Sequence, residues 1–142
     1  MKRSALLAVA WLLTGCATVV LPPAASPGTS QGAEAAWARV LQRFVNDDGD
    51  VDFAALSKDR ADLDRVVRHV AAAPLDHGSS DERLAQMINA YNALSMWNVI
   101  DSGIPASHAG LAKLRFFVWR RLVIGGQAMS LYAFENDVIR PL

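Results

Sequence analysis

The sequence predicts an α+β domain that is mostly helical, with a central buried helix at about residues 80–101 and a small β-hairpin at about residues 116–130. Two stretches carry this prediction. The first, LAQMINAYNALSMWNVI, contains no charged residue and has apolar side chains on every side of a helical wheel, which is typical of a buried helix. In the second, the β-prone run RFFVWRRLVI leads into Gly125-Gly126, and a glycine pair between two short runs favours a hairpin turn.

Residues 1–15 have the pattern of a secretory signal peptide, so they are left out of the fold. Two basic residues precede an apolar segment at residues 4–13 that is too short to span a membrane. This segment ends in Leu13-Thr14-Gly15-Cys16, which resembles the lipobox of bacterial lipoproteins, where the peptidase cuts before the cysteine and the thiol carries a diacylglycerol. We therefore expect Cys16 to carry lipid with palmitate-type acyl chains. The alternative is an ordinary secretory signal with a chance cysteine.

Residues 16–33 are expected to be the lipidated cysteine and a flexible tether, which leaves a domain of residues 34–142. The tether is rich in Pro, Ala, Gly and Ser and carries no charge, and a flexible chain of this length reaches roughly 20–25 Å. Because Ala17 rather than Asp follows the cysteine, the resemblance to Gram-negative lipoproteins implies a lipid-anchored protein of the cell envelope, on the outer membrane and facing the periplasm. Each buried CH₂ of the acyl chains would contribute about 0.8 kcal/mol to anchoring.

Charge and cysteine content exclude several classes of function. Loss of the signal peptide removes Lys2 and Arg3 from 14 basic side chains and leaves all 14 acidic ones, a net charge of −2. Such a chain is not a polyanion binder by charge, so we expect no nucleic-acid partner. The membrane is the partner indicated, and a protein or glycan partner stays unassigned. The single cysteine excludes an internal disulfide and, once acylated, leaves no thiol nucleophile.

The domain is predicted to begin with two amphipathic helices. Apolar residues recur at helical spacing from about Glu34 to Val45, and again from about Lys58 to Ala73, where a proline ends the pattern. Ser57 and Asp59 are the expected caps of the second helix. Between the two helices, Val51–Phe53 alternates as a very short strand.

The central helix has the clearest limits. Ser79 and Glu82 are spaced as a capping box at its start, in which each residue satisfies a backbone N–H of the other. Gly103 followed by Pro105 ends it by the usual order of glycine and then proline.

Two interpretations are open for the basic and aromatic residues around the first run of the hairpin. They form either a membrane-surface or glycan-facing patch, or a strand with aromatic side chains in the core and arginines outside, and we favour the strand. A short helix is expected within residues 106–114, and Ser130 is expected to cap a final helix at Leu131–Ile139. The basic and aromatic residues are Lys113, Arg115, Phe116, Phe117, Trp119, Arg120 and Arg121.

We expect no metal site and no cofactor. The acidic turn NDDGD does not fit a calcium loop, because with Gly49 in the sixth position the first and last ligand positions fall on Phe44 and Ala55. A solvated turn with Gly49 at positive φ is expected instead. The histidines are too widely spaced for a zinc motif, and no close carboxylate partner accompanies them. They are His69, His77 and His108.

Asn89 and Asn92 are the residues of the central helix that need an explanation. They lie three residues apart and share a face, and a buried amide without a partner costs about 1–3 kcal/mol. We therefore expect a buried polar cluster of Asn89, Tyr91, Asn92 and Glu135. The structural interpretation is that the amides bind the backbone of a neighbouring loop, and the functional one is that an amide orients a substrate carbonyl or an imidazole. We favour the structural interpretation.

Met87-Ile88-Asn89-Ala90-Tyr91-Asn92-Ala93-Leu94 resembles the INxYNAL signature of the family called domain of unknown function 547. The family's later signature is matched in the same order, and the tryptophan helix followed by DGDVDF resembles its start, so the resemblance runs from about Trp37 to Arg140. The residues of the later signature are Ile124-Gly125-Gly126, Ser130-Leu131, Glu135 and Ile139-Arg140.

The resemblance implies an exported protein whose domain ordinarily continues with an Arg-x-His and a Cys-Pro segment. Those segments have suggested papain-like or transglutaminase-like cysteine hydrolases. This chain ends before both, and Asn136 stands where the family commonly has His. We therefore expect the N-terminal, incomplete part of such a domain, with no catalytic residues of its own.

Two functions follow as hypotheses. The favoured one is a membrane-anchored bacterial lipoprotein that acts as a binding or scaffold module at the cell envelope. The alternative is a truncated piece of a cysteine hydrolase whose catalytic Cys and His lie beyond residue 142. A longer reading frame that encodes these residues would favour the alternative.

Overall fold

The computed structural model describes residues 19–20, 29–74, 78–107 and 109–142. Residues 1–15, which are predicted to be a signal peptide, and Cys16 lie outside these residues, as do His77 and His108. Within the described part of the chain, no helix is both long and apolar enough to cross a bilayer. The mostly helical α+β class predicted from the sequence is confirmed.

Helix α1, Ser30–Phe44, begins four residues earlier than the sequence pattern predicts. The reason is a capping residue in the segment expected to be a tether: the Thr29 hydroxyl accepts a hydrogen bond from the Gly32 N–H at 3.2 Å. Beyond α1, Gly49 has the expected positive φ of 86°. The strand expected at Val51–Phe53 is reduced to a single antiparallel bridge between Val45 and Val51.

The second predicted helix starts three residues later than its predicted start at about Lys58, and a short helix that was not predicted precedes it. Helix α2, Phe53–Lys58, is capped by Asp52, whose carboxylate accepts from the Ala55 N–H at 2.9 Å. Helix α3, Ala61–Ala72, follows after a break at Asp59 and Arg60. Asp52 therefore starts a helix before Ser57 is reached, and the Ser57 hydroxyl donates to a carbonyl within α2 instead of capping.

Helix α4, Ser80–Asp101, has the predicted limits. Both hydrogen bonds of the capping box between Ser79 and Glu82 are present, and Gly103 adopts a φ of 82° just past the end. The prediction that α4 is buried on every side was wrong for its first half. Leu84 and Ile88 are 37% and 45% exposed, because no described element packs over the side of the helix that carries them, while Met87 and Ala90 on the other side are buried.

The hairpin is shorter than predicted. Strand β2, Arg121–Ile124, pairs antiparallel with strand β3, Gln127–Met129, around a turn in which both glycines have positive φ as expected. The residues before β2 are helical instead of extended: helix α5, Leu111–Leu114, continues as a π-helical segment, Arg115–Trp119. The favoured strand interpretation of that run was therefore wrong from residue 115 to residue 119.

A third strand joins the sheet from the segment expected to be a flexible tether. Strand β1, Val19–Val20, pairs parallel with β2, so that Val19 lies opposite Arg121 and Val20 opposite Leu122. A parallel partner from this distance in sequence was not expected, because two valines in a Pro- and Ala-rich segment give no pattern of their own.

The chain ends with helix α6, Leu131–Ala133, and a π-helical segment, Phe134–Ile139. Ser130 caps α6 as predicted, accepting from the Ala133 N–H at 3.1 Å. One hydrophobic core lies between α1, α3, α4, the sheet and this C-terminal segment. The hairpin turn is fixed to α3, since two glycine N–H groups donate to the last carbonyls of that helix at 2.9 and 2.8 Å.

Candidate functional site

The four residues expected to form one buried polar cluster do not come together. Asn89 and Asn92 are exposed, and Tyr91 and Glu135 are half-buried. The buried-cluster prediction was wrong because it took α4 as covered on all sides, and the first half of the helix is not. The fully buried amide of α4 is instead Asn98, which the sequence analysis did not single out.

Asn98 connects the end of α4 to the segment before β2. Its Nδ2–H donates to the Phe116 carbonyl at 3.2 Å, and its Oδ1 accepts from Arg120 Nε at 2.5 Å. Arg120 in turn forms an ion pair with Asp101. The carbonyl oxygen and the guanidinium are thus both satisfied by one side chain, which makes Asn98 a structural residue that holds two elements together.

Tyr91 and Glu135 do meet, as expected. The Tyr91 hydroxyl donates to Glu135 Oε2 at 3.4 Å, and the other carboxylate oxygen of Glu135 accepts from Arg140 at 2.9 Å. Burial raises the pKa of the Tyr91 hydroxyl above its ordinary value, and the charge of Glu135 and the hydrogen bond to it add to the shift. This contact ties α4 to the C-terminal segment.

Asn89 has a partner that the sequence did not suggest. Its Oδ1 accepts a hydrogen bond from the indole N–H of Trp37 at 3.2 Å, which links α4 to α1. A buried tryptophan N–H normally finds an acceptor, so the tryptophan in the first amphipathic helix was the signal that could have pointed to this pair.

A groove with a volume of about 540 Å³ runs beside α4, between α1, the segment from Val45 to Phe53, and the π-helical segment. We call it the α1–α4 groove. Apolar side chains make up most of its wall, and Tyr91, Asn92 and Ser95 place polar groups along the α4 side. The apolar residues include Leu41, Val51, Phe53, Met96, Val99 and Phe117.

Two of the polar groups of the groove have no hydrogen-bond partner among the described residues. No hydrogen bond to the Asn92 side chain is formed within the described part of the chain, and the Ser95 hydroxyl is buried there without a partner. A buried polar atom without a partner costs about 1–3 kcal/mol and calls for a water molecule or ligand that satisfies it. Ser95 is one turn from the signature residues, and its place in an apolar run was the only signal in the sequence.

A second cavity, of about 480 Å³, lies between α1, α3 and the first half of α4. Glu34, His69, Gln86 and Asn89 contribute polar groups to its wall. His69, which the sequence places on an exposed face, is therefore half-buried at the edge of a cavity. Trp37 separates this cavity from the α1–α4 groove, since it lines both.

The α1–α4 groove combines an apolar wall with uncharged polar groups. Its described polar side chains are a phenol, an amide and a hydroxyl, which donate and accept hydrogen bonds without changing charge near neutral pH. An apolar wall with a few placed polar groups is the usual composition of a ligand pocket. Cys16, the expected lipidation site, lies outside the described residues.

Comparison with known families gives one match. Residues 75–142 match a family model described as protein of unknown function, DUF547. The resemblance seen in the sequence is confirmed over this range, which contains α4, the hairpin and the C-terminal segment; α1, α2 and α3 precede it. No curated protein and no solved structure matched the chain. The matched segment thus supplies one wall of the groove, and the residues before it supply the other.

Proposed function

We propose that the protein is a lipid-anchored bacterial envelope protein whose domain binds a ligand in the α1–α4 groove. The observation that carries the anchor is Leu13-Thr14-Gly15-Cys16 directly after a short apolar segment with two basic residues before it. Acylation at this cysteine would hold the domain at the periplasmic face of the outer membrane, because several acyl chains together bind a bilayer stably.

The anchor is tested by the mass and the location of the mature protein. Wild-type protein expressed in a Gram-negative host is expected to incorporate labelled palmitate, to have a mass that starts at an acylated Cys16, and to fractionate with the outer membrane. Cys16→Ala is expected to abolish the label and the processing. Unchanged mass and unchanged labelling in Cys16→Ala would contradict the proposal.

The binding function is supported by the composition of the α1–α4 groove. Its apolar wall favours a ligand with an extended apolar part, and the free groups of Asn92 and Ser95 favour a carbonyl or hydroxyl on that ligand. A ligand group in the groove would satisfy the Ser95 hydroxyl, which has no protein partner, and this is why we favour binding.

A groove-filling variant tests this step. Anilinonaphthalene sulfonate, a fluorescent apolar probe, is expected to bind the wild-type protein and to lose most of its binding in Asn92→Trp, because the indole would occupy the groove from its exposed rim. Gln42→Trp, at an exposed position of α1, is the matched control and is expected to bind the probe like the wild type. Equal probe binding by all three proteins would contradict a ligand site in this groove.

A further inference from the structure

The segment from α5 to the start of β2 presents an apolar face to solvent. Leu111 is 72% exposed and Trp119 is 50% exposed, and Leu114 and Val118 are exposed as well. Leu111, Leu114 and Val118 are separated by three and four residues, so they lie on one side of the helix, while Phe116 points into the core. We call these four exposed residues the 111–119 face. The segment therefore has apolar side chains toward solvent as well as toward the core.

Basic side chains accompany this face. The sequence between Asp101 and Glu135 contains Lys113, Arg115, Arg120 and Arg121 and no acidic residue. Arg120 forms an ion pair with Asp101, whereas the other three form no ion pair with any residue that the structure describes. The 111–119 face is therefore apolar with unneutralised positive charge around it, although the mature chain carries a net negative charge.

Strand β1 fixes where the chain leaves this region toward Cys16. Val19 pairs with Arg121, the first residue of β2, and the strands run parallel. The start of β1 therefore lies beside the start of β2, two residues after Trp119. Cys16 precedes Val19 by three residues, which span at most roughly 11 Å even when fully extended.

We propose that the 111–119 face docks on the anionic phospholipid surface in which Cys16 is anchored, so that the domain lies on the membrane instead of hanging from a long tether. This inference rests on the proposed lipid anchor. The occupant is a membrane because the acylated residue is held within a few residues of the face by β1, and because apolar side chains with a tryptophan and basic neighbours suit a headgroup interface.

The 111–119 face and one wall of the α1–α4 groove belong to the same helical segment. Phe116 and Phe117 belong to the groove wall, and Leu114 and Val118 belong to the 111–119 face of the same helical segment. Because one segment carries both, docking of the face would hold this wall of the groove close to the bilayer surface.

Quenching of Trp119 by brominated lipids tests the proposal. The full chain carrying Trp11→Phe, which removes the signal-peptide tryptophan, is reconstituted in vesicles of brominated phosphatidylglycerol or brominated phosphatidylcholine. Time-resolved fluorescence then gives the ratio of quenched to unquenched Trp119, that is, of docked to undocked domain. Trp119→Phe identifies the signal, since Trp37 and Trp97 are buried in the core. Quenching in phosphatidylglycerol that is much weaker in phosphatidylcholine is the expected result.

Matched variants separate the face from the rest of the surface. Neutralising both Lys113 and Arg115 to Gln is expected to lower the docked-to-undocked ratio roughly 25-fold, at about fivefold for each basic residue near an anionic surface. Arg65→Gln, an exposed position on α3, is the control and is expected to leave the ratio unchanged. Leu114→Glu is expected to abolish quenching, and Tyr132→Glu, at an exposed residue of α6, is expected to preserve it.

The outcomes distinguish this inference from the proposed anchor. An acylated protein whose Trp119 is not quenched overturns the docking and leaves the anchor intact. A mass without acyl groups overturns the anchor, and quenching by vesicles added to that protein then decides the docking by itself. A third outcome is that the fluorescence of Trp119 shows burial of its side chain without quenching by the lipids, while sedimentation shows a dimer whose amount rises with protein concentration. The face then binds a second copy, and the membrane proposal is wrong.

Discussion

The two halves of α4 carry the same kind of residue with opposite results. Asn89 and Asn92 in the first half are exposed, whereas Asn98 in the second half is fully buried. The second half is bonded through Asn98 to the segment Arg115–Trp119, whereas no described element covers the side of the first half that carries Leu84 and Ile88. The comparison shows that the burial of an amide in this helix depends on what packs against it, since the helix itself offers both kinds of position with nearly the same composition.

The largest effect is expected at the buried amide. Asn98→Leu nearly keeps the side-chain volume but removes the amide, so the Phe116 carbonyl and the Arg120 guanidinium each lose the hydrogen bond that Asn98 forms with them. We expect the free energy of unfolding to fall by about 3 kcal/mol, because two hydrogen bonds are lost and one of them involves a charged guanidinium. Urea unfolding measures it. A loss below about 1 kcal/mol would mean that solvent reaches these groups and that the two halves of α4 do not differ as described.

Asn89→Leu is expected to have a smaller effect, a loss of about 1 kcal/mol, since its one hydrogen bond to Trp37 is neutral and only partly buried. A double-mutant cycle with Trp37→Phe isolates that bond from the packing of the indole. If the two substitutions are additive, the bond contributes nothing and Asn89 belongs with Asn92 among the solvated amides.

The contact of Tyr91 with Glu135 is expected to contribute still less at neutral pH, so that Tyr91→Phe lowers the free energy of unfolding by about 0.5 kcal/mol. Its effect is expected to be larger at alkaline pH. The folded state raises the pKa of Tyr91 above the value of about 10 in the unfolded chain. Stability from this group is therefore fully present below about pH 10 and is lost as the pH rises through the folded pKa.

Unfolding measured at pH 8 and at pH 11 tests the Tyr91 prediction. The wild type is expected to lose more stability between these values than Tyr91→Phe does. Tyr132→Phe, which removes an exposed phenol, is the control and is expected to follow the wild type. Identical pH dependence in all three proteins would show that Tyr91 is solvated.

Asn92→Leu completes the comparison and is expected to change the free energy of unfolding by less than about 0.5 kcal/mol. The side chain has no partner to lose among the described residues, and Leu is the better helix former. A loss of 1 kcal/mol or more in a thermal melt would reveal an interaction of this amide outside the described part of the chain.

Local signals in the sequence predicted some parts of the candidate site well. The capping box at Ser79, the Gly-Gly turn and the Ser130 cap depend on residues within three or four positions of one another, and all are present. Tyr91 and Glu135, which were expected in one cluster, also lie within hydrogen-bond distance of each other. Ser95 and Trp37 were missed as site residues, because their roles depend on a groove formed by elements that are distant in sequence.

The same limit explains the errors. The run from Arg115 to Trp119 has β-prone residues and yet is helical, since Phe116 must enter the core while its carbonyl reaches Asn98. Strand β1 could not be predicted from the sequence, because its pairing with β2 stabilises it and two valines alone do not indicate a strand.

By itself, the sequence determined the helical class, the limits of α4, the hairpin turn and the match of residues 75–142 to DUF547, because each follows from local backbone chemistry or from a short motif. Only the tertiary structure decided which asparagine of α4 is buried, how β1 places the chain beside β2, and where the groove opens. These depend on which surfaces cover one another, and covering a side chain is a property of distant elements packed together.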